Sequence, residues 1–200
     1  MSKLCSMGAR SARWLVGSVA LAAMVACGGG GGGGSSTSTS SGATISGVAS
    51  KGWIKNGIVT AYAVVNGAKG AVLATAETDD KGEYTLTGIP TGQLVLVEIT
   101  AGASTKMVDE ASDSEVDLPS GFKLRAATKL ESGTQVSSNT LQITPFSEMA
   151  VAQAERRTGG LTAVNAENAN AEIREALGFD VFDTKPEFST DGQTPQNSAA

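Results

Sequence analysis

The sequence predicts a mainly β protein: a small antiparallel β-sandwich followed by a short α-helical hairpin, behind a disordered N-terminal signal and tether. Three observations lead there. Between Thr44 and Ala101, short runs rich in Val, Ile and Thr alternate with Gly and Asn punctuation, the pattern of short strands and tight turns. Aromatic residues make up only 4% of the 200-residue chain, so the core is built from aliphatic side chains. After Thr144-Pro145 the apolar period changes to helical spacing.

The first 26 residues carry an address. Lys3, Arg10 and Arg13 give a positive start, and Trp14 to Ala26 is an apolar run of 13 residues. A bilayer needs about 20 apolar residues, so this run is a secretory signal by length. The arginines are separated by Ser11-Ala12, which excludes a twin-arginine signal. An ordinary cleaved signal and an uncleaved membrane helix are the competing readings. Residues 27–43 follow as a tether: Gly28 to Gly34, then Ser35 to Gly42, with no side chains to bury and high backbone entropy.

Met24-Val25-Ala26-Cys27 resembles the bacterial lipobox, in which a signal peptidase cuts before a lipidated cysteine. The resemblance implies lipidation at Cys27 and a membrane partner reached through the N-terminal lipid. Each buried acyl methylene contributes about 0.8 kcal/mol, so several chains make a stable anchor. Glycine after the cysteine resembles the outer-membrane sorting preference of some Gram-negative bacteria, implying a cell-envelope, outer-membrane location.

Strands are expected at Thr44–Ala49, Ile58–Val65, Val72–Thr78, Glu83–Thr87 and Gln93–Ala101. Asn66-Gly67 and Lys55-Asn56-Gly57 read as tight turns. In the last strand Val95, Val97 and Ile99 make one wholly apolar face, while Leu94 and Leu96 make the other apolar until Glu98. That is how a strand inside a sandwich reads.

The sharpest local pattern is Thr78-Asp79-Asp80-Lys81-Gly82-Glu83-Tyr84-Thr85-Leu86, then Gly88-Ile89-Pro90-Thr91-Gly92. Asp79 and Asp80 are suited to capping a turn, with Gly82 at positive φ. Tyr84 and Leu86 then share one strand face. With Ile45 to Val48 and Ile58 to Ala63 as opening strands, this stretch resembles the carboxypeptidase regulatory-like domain. The resemblance covers Thr44 to about Ala101 and implies a transthyretin-type, prealbumin-like sandwich that serves as a non-catalytic accessory.

Asp109, Glu110, Asp113, Glu115 and Asp117 form an acidic cluster, expected to be a solvated connecting loop because the EF-hand pattern is not met. Phe122 to Arg125 and Leu141 to Ile143 are further strand candidates within a sandwich bounded at 44–143. The helical hairpin occupies 144–188. Thr144 caps its first helix, Pro145 takes the first turn, and Phe146, Met149, Ala150, Gln153 and Ala154 follow its spacing. Arg156 and Arg157 are placed in its last turn, and Gly159-Gly160 ends it. Thr162 or Asn165 caps a second helix with a face of Ala169, Ile173, Ala176 and Leu177, stopped by Gly178. An apolar face of Phe146, Met149, Ile173 and Leu177 is expected to dock on the sandwich. Residues 189–200 are polar and expected to be disordered.

Composition then limits function. Histidine is absent, which excludes Ser-His-Asp and Cys-His catalysis and any histidine metal site. The two cysteines, Cys5 and Cys27, exclude a disulfide framework and a four-cysteine zinc site. Removal of the signal takes three basic residues and no acidic ones, leaving twelve basic against twenty acidic and a net charge of −8. That argues against nucleic acid as a partner. No catalytic residue, metal ligand or cofactor is assigned. The expected function is a non-enzymatic, membrane-anchored envelope lipoprotein whose sandwich is structural or binds an envelope protein or glycan. The alternatives are an accessory or incomplete portion of a larger secreted protein, and a carboxylate-dependent hydrolase. Trp53 and Tyr62 are the candidates for a sugar-stacking surface, with core packing as the competing role.

Overall fold

A computed structural model describes residues 42–109, 112–133 and 138–187. The signal, Cys27, nearly all of the tether, Glu110 and the polar tail lie outside the described residues. The element order is β1 (Ala43–Val48), β2 (Ile54–Lys55), β3 (Ile58–Val65), β4 (Ala68–Glu77), β5 (Glu83–Ile89) and β6 (Gln93–Thr100). It continues through β7 (Lys106–Asp109), β8 (Ser114–Asp117), β9 (Lys123–Leu130) and β10 (Ser138–Thr140) to α1 (Pro145–Glu155) and α2 (Ala163–Leu177).

The protein is mainly β and sandwich-like, with a short helical pair at the C-terminal end. One sheet has the order β4-β3-β6-β9, a second β10-β1-β5, and a small third β2-β7-β8. In the four-stranded sheet all neighbours are antiparallel, and register puts Val59, Val97, Ala126 and their period-two partners Ala61, Val95, Ile99 and Leu124 on one face. These side chains form one buried cluster with Ile45, Tyr84, Leu86 and Ile89 of the second sheet. Each fully buried Val, Leu or Ile side chain among them contributes about 1.5–3 kcal/mol.

β6 is buried on both faces because it is central and covered twice. Its opposite face carries Leu96 and Glu98, in register with Ala127 and Arg125 of β9. Arg125 reaches α1 from that face, so the helical pair lies on the side away from the second sheet. Two backbone carbonyls of β9 anchor the helices: Ser147 Oγ donates to Arg125 O at 2.8 Å, and Asn170 Nδ2 donates to Ala127 O at 3.1 Å.

Thr144 is the N-cap of α1 in a capping box with Ser147, and Pro145 opens the helix. Thr162, not Asn165, caps α2, and Gly178 closes it at φ 76°. The linking turn is fixed by a backbone bond from Leu161 N–H to Gly67 O at 2.8 Å. A Cβ built on Gly67 would lie 1.9 Å from Gly159 O, so no other residue fits between these two turns.

Several expectations are corrected. The sandwich is not wholly antiparallel: β10 runs parallel to β1, because the chain leaves β9 in one sheet and returns along β1 in the other before entering α1. The acidic segment is not a connecting loop. Lys106–Asp109 and Ser114–Asp117 pair as a hairpin in which Met107 faces Val116 and also pairs with Ile54. The buried face of α1 is Ser147, Ala150, Val151 and Ala154, while Phe146 and Met149 are 40% and 55% exposed. Small side chains let the helix backbone approach β9 closely, and the large ones are turned outward. Arg156 is the C-cap and Arg157 lies beyond it, so neither sits in the last turn. On α2, Ala166 joins Ala169 and Ile173 in the buried face, and Ala176 is exposed.

Candidate functional site

The turn between β4 and β5 is closed by Asp79. Its Oδ1 accepts from the backbone N–H of Lys81 and of Glu83, both at 2.8 Å. Its own N–H donates to Glu83 O at 3.0 Å, and Gly82 N–H donates to Asp79 O at 3.0 Å. Gly82 has φ 73°, and a Cβ there would stand 2.6 Å from Ala49 O. Asp80 has a different part: it is exposed and acts through charge. Lys55 is held above the ordinary lysine range chiefly by its hydrogen bond to Glu115, with smaller help from Asp80 and Asp113.

Tyr84 starts the buried side of β5. Its hydroxyl donates to Leu141 O at 2.6 Å, spanning from β5 to the segment that follows β10. Burial pushes the phenol's pKa far above its ordinary value, so it stays a neutral donor. Thr78 does similar work at the other end of the turn, donating to Ile54 O at 2.6 Å and accepting from Gly57 N–H at 2.8 Å. Asp79, Gly82 and Tyr84 thus form a structural corner of the sandwich, with Asp80 exposed beside it.

A second polar group crosses the helix-bearing face of the four-stranded sheet. Lys69 on β4 pairs with Glu98 on β6 at 3.1 Å, with its ammonium 4.5 Å from the centre of the Tyr62 ring. Arg125 stands beside Glu98 in the register of β9. Its guanidinium binds Glu148 at 2.6 Å and Glu155 at 2.6 Å. Bonding to Glu148 first, and to Glu155, holds the arginine's pKa above its already high ordinary value. Positive and negative groups thus alternate from β4 to α1, and the ladder fastens the helical pair to the sheet.

Chemically, these carboxylates are occupied. Glu98 is tied to Lys69, and Glu148 and Glu155 share Arg125. Glu115 and Asp117 of the β7–β8 hairpin pair with Lys55 and Lys106, and the bond to Lys55 holds the Glu115 carboxyl below its ordinary range. Among the described residues, no group of three or more Cys, Asp or Glu side chains is placed to hold a metal ion. Tyr62 is half-buried beneath Lys69, and half-buried Trp53 accepts from Val108 N–H through its carbonyl at 2.9 Å. Tyr62 lies on β3, and Trp53 lies outside the named strands in a bridge with Ser50.

Sequence reasoning did not single out Arg125, Glu148, Glu155 or Ser147. The signal available was an arginine inside a strand pattern that alternates apolar and basic residues, upstream of a helix that carries glutamates. Phe182 was also missed. It is fully buried, its carbonyl accepts from Gln142 N–H at 2.8 Å, and Arg174 lies over its ring at 4.9 Å.

No family model matches the chain, and no curated protein matches it. Among solved structures, the chain is similar to a 9R-lipoxygenase from Cyanothece PCC8801, with 13% identity and a TM-score of 0.29. That match covers 68% of this chain and 24% of the lipoxygenase.

Proposed function

We propose that this chain is a non-enzymatic lipoprotein of the bacterial cell envelope, anchored by acyl chains on Cys27 and directed to the outer membrane. Its β-sandwich is a structural or protein- or glycan-binding module of the carboxypeptidase regulatory-like, prealbumin-like kind. The observation that carries the reading is Met24-Val25-Ala26-Cys27, placed between a short apolar run and a glycine-serine stretch.

The folded part is compatible with it. The corner built by Asp79, Gly82 and Tyr84 puts Tyr84 and Leu86 into the core from one strand face. The acidic groups described above serve ion pairs that hold elements together. Fifteen residues separate Cys27 from Ala43, the first residue of β1. A glycine-rich chain of that length has a mean reach of about 20 Å, enough to carry the sandwich clear of the headgroups. A net charge of −8 in the mature chain leaves the lipid to do the anchoring at an anionic surface.

Cell fractionation tests the reading. The unaltered chain is expected in the outer-membrane fraction, and Cys27→Ala in the soluble fraction or as unprocessed precursor. A Cys27→Ala chain that is normally processed and still membrane-bound refutes it.

A further inference from the structure

We infer that Asn66 is a site of spontaneous covalent modification, deamidation through its neighbour Gly67 with water as the co-reactant. The chain holds two Asn-Gly pairs, Asn56-Gly57 and Asn66-Gly67, and the fold treats them differently. Both asparagines are exposed and share φ 52°, so neither exposure nor φ separates them. The following amide does.

Gly57 is buried. Its N–H donates to Thr78 Oγ1 at 2.8 Å, its carbonyl accepts from Thr78 N–H at 2.9 Å, and a Cβ there would meet Ile99 at 2.6 Å. That nitrogen is held by a partner and enclosed. Asn66-Gly67 is the two-residue turn joining β3 to β4, with Val65 paired to Ala68. Among the described residues no acceptor holds the Gly67 N–H. Its carbonyl is engaged, accepting from Leu161 N–H.

The reaction balances with water alone. The Gly67 nitrogen bonds to Asn66 Cγ, the Cγ–Nδ2 bond breaks, and ammonia leaves with the amide proton. Water then opens the cyclic imide at one of its two C–N bonds to the ring nitrogen, giving aspartate or isoaspartate. Either product adds a negative charge at the turn. Isoaspartate also adds a methylene to the backbone where Gly67 O receives Leu161 N–H and the two glycine turns touch. Modification therefore loosens the α1–α2 turn from the sheet.

The test is peptide mapping by mass spectrometry of the full chain, aged at mildly alkaline pH, folded and in denaturant. In the folded protein the Asn66 peptide is expected to gain the deamidation mass while the Asn56 peptide stays unmodified. In denaturant both are expected to convert. A folded Asn66 peptide that stays unmodified, or an Asn56 peptide that converts equally fast in the fold, overturns the inference. Hydrogen exchange at Leu161 gives a second readout. It is expected to rise in the aged protein and not in aged Asn66→Gln, and an equal rise in both refutes the link to the turn.

Discussion

Gly82→Val is the perturbation that bears most directly on the corner of the sandwich. Gly82 sits at φ 73°, where a residue with a Cβ loses about 1–2 kcal/mol, and β-branching makes it worse. Its Cβ would also stand 2.6 Å from Ala49 O, a backbone atom that accepts from Ile54 N–H, while Ala49 N–H donates to Gly82 O at 2.8 Å. Moving either strand to relieve the clash gives up one of these bonds, a further ~0.5–1.5 kcal/mol. The sum is about 1.5–3.5 kcal/mol, which for a domain of this size lowers Tm by about 5–15 °C. Thermal melts followed by circular dichroism provide the assay, with Asp113→Asn as the comparison. Asp113 also has positive φ, but it is exposed at a hairpin tip, and asparagine tolerates that conformation. Its Tm should stay with that of the unaltered protein. Equal melting temperatures for Gly82→Val and Asp113→Asn would refute the reasoning.

Three further predictions follow from the same geometry. Tyr84→Phe leaves Leu141 O without its buried donor and should cost about 1–3 kcal/mol in chemical denaturation. Because the folded phenol's pKa lies above its unfolded value of 10.0, its stabilising contribution is full below that pH and is lost as pH rises past it. Tyr84→Phe should therefore show a shallower alkaline loss of stability, and an unchanged alkaline limb would contradict the assignment. Arg125→Met strands Glu148 and Glu155 against the sheet and should cost about 2–4 kcal/mol, with hydrogen exchange rising first in α1. Exchange rising uniformly instead would show that the ladder does not fasten the helices. On α1, Met149→Gln should leave Tm nearly unchanged, whereas Ala154→Leu overfills the contact with the sheet and should cost about 1–3 kcal/mol in the same melts.

The legible parts of the fold were those where side-chain type alone decides the outcome. β1, β3, β5 and β6 follow from alternation of Val, Ile and Thr, and the start of α1 follows from Thr144-Pro145, whose cap chemistry is local. What failed depended on distant partners. β7 and β8 are short and charged, and they are strands because Met107 lies between Ile54 and Val116. The buried face of α1 is Ser147, Ala150, Val151 and Ala154, mostly small because it must approach β9, a requirement that hydrophobicity reads backwards: Phe146 and Met149 point to solvent. The corner at Asp79 and Gly82 was readable, since an Asx-type turn with glycine is set within a few residues. The ladder from Lys69 to Glu155 was not, because it joins four elements far apart in sequence.

Acylation of Cys27 as the first residue of the mature protein is the proposal on which the envelope location rests. Mass spectrometry of the N-terminal peptide from membrane-extracted protein tests it most directly. The prediction is a peptide that begins at Cys27 and carries the added mass of acyl chains, with nothing remaining of Met1 to Ala26. A mature peptide that begins elsewhere, or begins at Cys27 with a free thiol and no lipid, would contradict the account.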